Sequence, residues 1–182
     1  MIETTASSLM QTNSNNSDIN TTQPTYTYKV NDFEIAIIGA GGIGSHLVSA
    51  LVPALHRGEL IESTELITIR MYDSDVVSEE NLAHQRFMPE DVGKHKVSAI
   101  AEKMTPFTGE RLRLIPCPWD VRDASDMTPA DLTVVAVDSA VARRVVHSSD
   151  TIFLDLRCLG DGFVALDSSV DPDFVKRMTP DQ

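Results

Sequence analysis

The sequence predicts an α/β fold: a mainly parallel central sheet with helices on both faces, in three layers. Two observations predict it. Apolar runs of strand length (33-FEIAII-38, 66-LITIRM-71, 131-DLTVVAVD-138 and 151-TIFLDL-156) alternate with segments whose apolar residues recur at helical spacing, the order that builds a parallel sheet. The first two runs lead into 39-GAGGIGS-45 and 72-YDSDVVSEENLAHQ-85. Glycines and acids therefore follow the strands where open α/β sheets hold their ligands.

Taken in order, residues 1 to about 30 are Ser, Thr, Asn and Gln with scattered acids. They carry too little apolar surface to offset the entropy of ordering and read as a disordered or loosely docked polar tail. A nucleotide-binding domain is expected over 31–169 and a C-terminal extension, partly docked, over 170–182. FEIAII is continuously apolar, as a strand buried on both faces must be. Ser45 to Arg57 follows as a helix with Leu47, Leu51 and Leu55 one turn apart. Pro53 is expected to kink or divide that helix, and Gly58 to stop it. An insertion-like stretch, 58-GELIESTE-65, precedes the second strand. Ser78 to Leu82 reads as a short helical turn, and Asp91 to Met104 as a second long helix with Val97, Ile100, Ala101 and Met104 on one face. RLRLIP (111–116) alternates like a strand with one face less buried, and DLTVVAVD is a buried strand ending in an acid. Val141 to His147 is then a helix, TIFLDL a strand, and GFVALD (162–167) a further strand joined by a turn at Gly160–Gly162.

Composition narrows the function classes. With 182 residues and 42% hydrophobic content the chain can fill one real core. A formal charge of −12 and a pI near 4.7 argue against a nucleic-acid groove, which needs clustered Lys and Arg. Cys117 and Cys158 are too few for a disulfide framework, and no CxxC pair is present to hold zinc. Neither a basic-then-apolar leader nor an apolar stretch of about 20 residues is seen, so a cytoplasmic protein without membrane partners is expected.

GAGGIG opens a helix directly after a strand. At such a turn glycines let backbone N–H groups crowd a phosphate at the positive end of the helix, a Rossmann-like arrangement. The dinucleotide form of this fingerprint expects an acid about 20 residues later. Here Asp73 and Asp75 come later still, which weakens a plain NAD reading and leaves it open. Each residue has an ordinary alternative. Lys96 can be a solvated helix lysine, with Lys94 a near substitute for it, and Asp138 can be an N-cap of the next helix.

Asp73-x-Asp75, Asn81-Leu82, Gln85, 91-DVGKHK-96 and 134-VVAVDS-139 with Arg143 occur in one order. Together they resemble the adenylating domain of the E1/ThiF/MoeB superfamily (the ThiF/MoeB/HesA group), from about Phe33 to Leu166. The resemblance implies an ATP-dependent adenylyltransferase that activates the C-terminal carboxylate of a ubiquitin-like or sulfur-carrier protein, with Mg²⁺. It implies that Gly39, Gly41, Gly42 and Gly44 line the ATP site, with Asp73, beside Asp75, on the ribose. Asn81 and Gln85 would flank the phosphates, Lys96 would neutralise them, and Asp138 would hold Mg²⁺. It also implies a homodimer or hetero-oligomer with half-sites completed between subunits.

Three departures from the family pattern stand out. The family's N-L-x-R-Q is 81-NLAHQ-85 here, with His84 at the arginine position and Arg86 as a candidate replacement. Before Arg57 there is no arginine, and the family's Asp-Asn pair is Asp138-Ser139. Three readings follow: an active adenylyltransferase, a catalytically degenerate E1-like subunit that keeps the nucleotide, or, on the glycine fingerprint alone, an NAD-dependent oxidoreductase. Cys158, after the strand 151–156, is either an inert thiol or a thioester or persulfide carrier, and Arg157 either faces the site or is ion-paired at the surface.

Overall fold

The computed structural model describes residues 30–159 and 161–179. A six-stranded sheet runs in the order β3-β2-β1-β4-β5-β6. The strands are β1 (Val30–Ile38), β2 (Thr64–Tyr72), β3 (Leu112–Cys117), β4 (Leu132–Val135), β5 (Phe153–Leu159) and β6 (Gly162–Asp167). The first five are mutually parallel, and β6 returns antiparallel against β5. Strand order reverses direction between β1 and β4, the position at which such sheets open a crevice.

Side-chain alternation along β1 explains why its sequence is apolar throughout. Ile35 and Ile37 pack into a cluster with Val48, Val52 and Leu55 of α1 (Gly42–Arg57) and Val97 and Ile100 of α3 (Lys96–Met104). Ala36 and Ile38 point the other way, to Ala142 and Val146 of α4 (Ala140–His147). Both faces are covered, which gives the expected three layers.

Several boundaries differ from expectation. The α1 helix is a single element through Pro53, capped by Gly58, whose N–H donates to Leu55 O at 3.2 Å. The insertion-like stretch is a short helix, α2 (Glu59–Ser63), leading straight into β2. The α3 helix begins at Lys96 and not at Asp91. Residues 91–95 instead close a turn in which His95 bridges Val76 and Gly93 takes φ +89°, a conformation no helix can contain. Asp91 ties that turn, accepting from Met88 N at 2.7 Å and pairing with Lys103. The β4 strand stops at Val135, leaving Ala136 to Ser139 as the loop into α4. Within the C-terminal extension lies α5 (Pro172–Arg177), N-capped by Asp171 and docked through buried Val175. Of the tail expected over residues 1–30, residues 1–29 lie outside the described residues, as does Gly160 of the expected Gly160–Gly162 turn.

Candidate nucleotide site

Register alone assembles the site. Ile38 pairs with Tyr72 and with Val135, Tyr72 pairs with Cys117, and Val135 pairs with Asp155. The residues that follow each strand, starting from Gly39, Asp73 and Ala136, therefore emerge side by side, with Leu156 to Cys158 of β5 at the same level.

Two of the glycines are demanded by this packing. Gly39 takes φ +104°, donates its N–H to Tyr72 O at 2.8 Å, and would place a Cβ 2.5 Å from Ala136 O. Gly44 would place a Cβ 1.8 Å from Gly39 O, so it is what lets α1 rest on the turn. Gly41 and Gly42 have no such packing reason. A Cβ on Gly41 meets nothing within 4 Å, and one on Gly42 only His84 O at 4.0 Å. Their bareness leaves open space at the N-terminus of a 16-residue helix.

That space is a cavity of about 360 Å³ lined by Gly39, Gly41, Gly42, Asp73, Asp75, Gln85, Lys96 and Asp138. It brings together most of the residues singled out in the sequence, including Arg143, Arg157 and Cys158, with Arg157 both facing the cavity and ion-paired to Asp155. A second cavity of about 310 Å³ shares Asp73, Asp75, Val137 and Asp138 with it and continues between Tyr72, Val121, Val141 and Ala142, rimmed by Asp120 and Arg122. The first is lined by glycine backbone and charge; the second mixes apolar side chains such as Tyr72, Val121 and Val141 with four aspartates, Arg122 and Ser139. A larger cavity of about 850 Å³, around His147, Phe153 and Val175, contains none of the predicted residues.

Three predicted residues sit elsewhere. Gly44 is buried beneath the turn. Asn81 closes its own 3-10 turn, its Oδ1 accepting from Ser78 N at 3.0 Å. Arg86 is exposed and engages the fold by its backbone, N–H to Ser45 Oγ at 3.2 Å and O from Lys103 Nζ at 2.9 Å. Neither Asn81 nor Arg86 lines either cavity.

The remaining groups are held firmly. The Asp73 carboxylate accepts from Ala40 N at 2.7 Å and Asp75 N at 2.8 Å, fastening the glycine turn to the end of β2. Each oxygen keeps acceptor capacity for a hydroxyl. Lys96 Nζ lies 2.8 Å from Asp75 Oδ2; the lysine side chain is 8% exposed and the aspartate 65%. Lys94, the near alternative, turns outward to Glu102. Gln85 Oε1 is buried with no hydrogen-bond partner among the described residues. Asp138 is exposed and lines both cavities.

The residue that sequence reasoning missed is Asp155. It is fully buried and bonded to Arg143, to Arg157 Nη2 at 2.6 Å and to His147 Nε2 at 3.0 Å. Burial by itself would raise its pKa. Hydrogen bonds from His147 and Arg157, with the charges of Arg143 and Arg157, outweigh this and bring it down to about 2. A single aspartate inside an apolar strand, flanked by arginine two residues on, was the available signal.

Stability should depend on pH through this group. The folded carboxyl ionises below its ordinary value of 3.8. Its ionised form therefore favours folding above about pH 4, and this contribution of about 2 kcal/mol fades as pH falls through about 2. Acid unfolding monitored by circular dichroism should lose that component in Asp155→Asn, whose stability changes less over the same window.

Among the described residues no group of three or more His, Cys, Asp or Glu forms a metal cage, and no helix is long and apolar enough to cross a membrane. No match is found among curated proteins. Solved structures do match. Escherichia coli MccB solved with ATP superposes with a TM-score of 0.56 at 25% identity, over 71% of this chain and 38% of MccB. The same enzyme with AMPCPP and its MccA partner gives 0.55 over the same shares. PaaA gives 0.50 at 21% identity over 70% of this chain and 38% of that one, a likeness of fold. The chain thus spans less than two-fifths of the length of these neighbours. The ThiF family model matches residues 14–170, and with the parallel sheet, glycine turn and strand-end acids described above, this chain belongs to the ThiF family.

Proposed function

We propose that this chain binds Mg²⁺-ATP and adenylates a C-terminal carboxylate of a peptide or small carrier protein of the ubiquitin-like or sulfur-carrier kind. The observation that carries the reading is the pair of contiguous cavities meeting at Asp73 and Asp138. A nucleotide has an apolar base, a hydroxylated ribose and an anionic tail. The second cavity, where Tyr72, Val121 and Val141 supply apolar surface, suits the base, Asp73 the ribose, and the glycine-lined cavity the phosphates. MccB, solved with ATP and with MccA, supports both the nucleotide and a peptide acceptor.

In this reaction an acceptor carboxylate oxygen forms a bond to the α-phosphorus, and the bond to the β-phosphate breaks with pyrophosphate taking the electron pair. The nucleophile belongs to the substrate, so no enzyme nucleophile is required. Backbone N–H groups at Gly41 and Gly42 and the Lys96 ammonium would meet charge as it develops. Asp138, a carboxylate facing the place where the phosphates would lie, fits a Mg²⁺ ion held by one or two carboxylates and the nucleotide itself. Such an ion would offset phosphate charge. Cytoplasmic location and assembly into a homodimer or hetero-oligomer accompany the proposal.

Pyrophosphate–ATP exchange with Mg²⁺ and a peptide bearing a free C-terminal carboxylate tests it. We expect exchange that Asp138→Ala abolishes while ATP is still bound. ATP binding without exchange, with competent acceptors present, would favour the degenerate-subunit reading, which His84 at the arginine position supports. NAD binding in place of ATP would sink both.

A further inference from the structure

Lys96 is the cation the family pattern assigns to the phosphates, yet its charge is already matched by Asp75 at 2.8 Å. Arg86 does not face the cavity, and His84 is exposed outside its lining. The other cations that line it are Arg143 and Arg157, one from α4 and one from β5. Both are bonded to one buried carboxylate. Asp155 Oδ1 accepts from Arg143 Nη1, and Oδ2 accepts from Arg157 Nε at 3.1 Å and Nη2 at 2.6 Å. Arg143 Nη2 also donates to Val137 O, and Arg157 donates to Met178 O and Thr179 Oγ1. His147 Nε2 completes the cluster at 3.0 Å from Oδ2.

Two guanidiniums share the one buried carboxylate, and the exposed Asp138 is a further acid whose charge reaches Arg143. After these bonds Arg143 retains N–H groups at Nε and at both terminal nitrogens, and Arg157 retains one at Nη1. Burying a carboxylate is costly unless it is fully paired, and Asp155 meets that condition with four donors from Arg143, Arg157 and His147.

We propose that Asp155 is a positioning residue that fixes Arg143 and Arg157 toward the phosphate chain of the nucleotide, and that this pair stands in for the arginine absent at position 84. The inference rests on the nucleotide-binding reading above. It adds phosphate contacts from the β4–β5 side of the crevice to that of Lys96, opposite the turn that carries His84.

Calorimetric titration of the full chain with ATP, AMP and adenosine tests it, in the wild type, Asp155→Asn, Arg143→Lys and Arg157→Lys. The wild type should bind ATP more tightly than adenosine. Asp155→Asn should lower ATP affinity by at least about tenfold and leave adenosine affinity unchanged, since a single charge-assisted hydrogen bond to phosphate accounts for roughly ten- to a hundredfold in affinity. A general loss of structure would weaken both ligands alike, so the ATP-to-adenosine ratio separates positioning from folding. Should Asp155→Asn not fold, the lysine variants carry the test: they keep the charge but lose the planar fork, and the same selective loss is expected. An unchanged ratio in the folded variants overturns the inference while leaving the nucleotide site intact. Absence of ATP binding by the wild type overturns both.

Discussion

Lys96→Ala should cut pyrophosphate–ATP exchange by roughly 10²–10³-fold, the loss typical when one preorganised group facing developing charge is removed, with little change in the thermal midpoint. The geometry separates the two effects. Lys96 Nζ is nearly buried and opens into the glycine-lined cavity, whereas its partner Asp75 is 65% exposed. Removing the amine leaves a carboxylate that water can solvate, so stability should move by at most about 1 kcal/mol, as for other half-exposed pairs. Lys96→Arg should restore little, because a planar fork cannot take the place of a compact ammonium in the same space. Exchange at the wild-type rate in Lys96→Ala would remove this residue from the reaction.

Gly44→Ala should do the reverse, attacking the fold first. The added methyl would lie 1.8 Å from Gly39 O. Gly39 cannot retreat, since its own Cα faces Ala136 O and its N–H is held by Tyr72 O. The strain can be relieved only by lifting α1 from β1, which loosens Val48, Val52 and Leu55 from the core. Overpacking of this kind costs about 3 kcal/mol or more, a large part of a marginal total, and the melting midpoint should fall by roughly 10 °C. Gly41→Ala is the contrasting control. A Cβ there meets nothing, so melting should be unchanged while ATP affinity falls, because the methyl occupies the space left for phosphate. Equal melting of Gly44→Ala and wild type, measured by calorimetry, would refute the packing argument.

The contrast between these glycines shows how much of the site was legible in the chain itself. GAGGIG after an apolar run announced a strand, a tight turn and a helix, because few other residues tolerate that turn. It could not say which glycines serve packing and which serve a ligand. That division depends on Ala136, which is far along the chain and arrives only when β4 pairs with β1. The same holds for Asn81 and Arg86. Their place in the motif suggested phosphate contacts, but Asn81 is spent on the cap of its own turn and neither residue lines a cavity.

Local periodicity and glycine chemistry determined the fold class, the order of elements and the acids at the strand ends, since each is a consequence of near neighbours in sequence. The convergence of Arg143, Arg157 and His147 on Asp155 was decided only by the tertiary structure. A buried carboxylate is tolerable only where several donors meet it, and those donors come together when α4 packs across β5. No spacing rule relates residues brought together in that way, so the sequence names the aspartate without revealing what it holds.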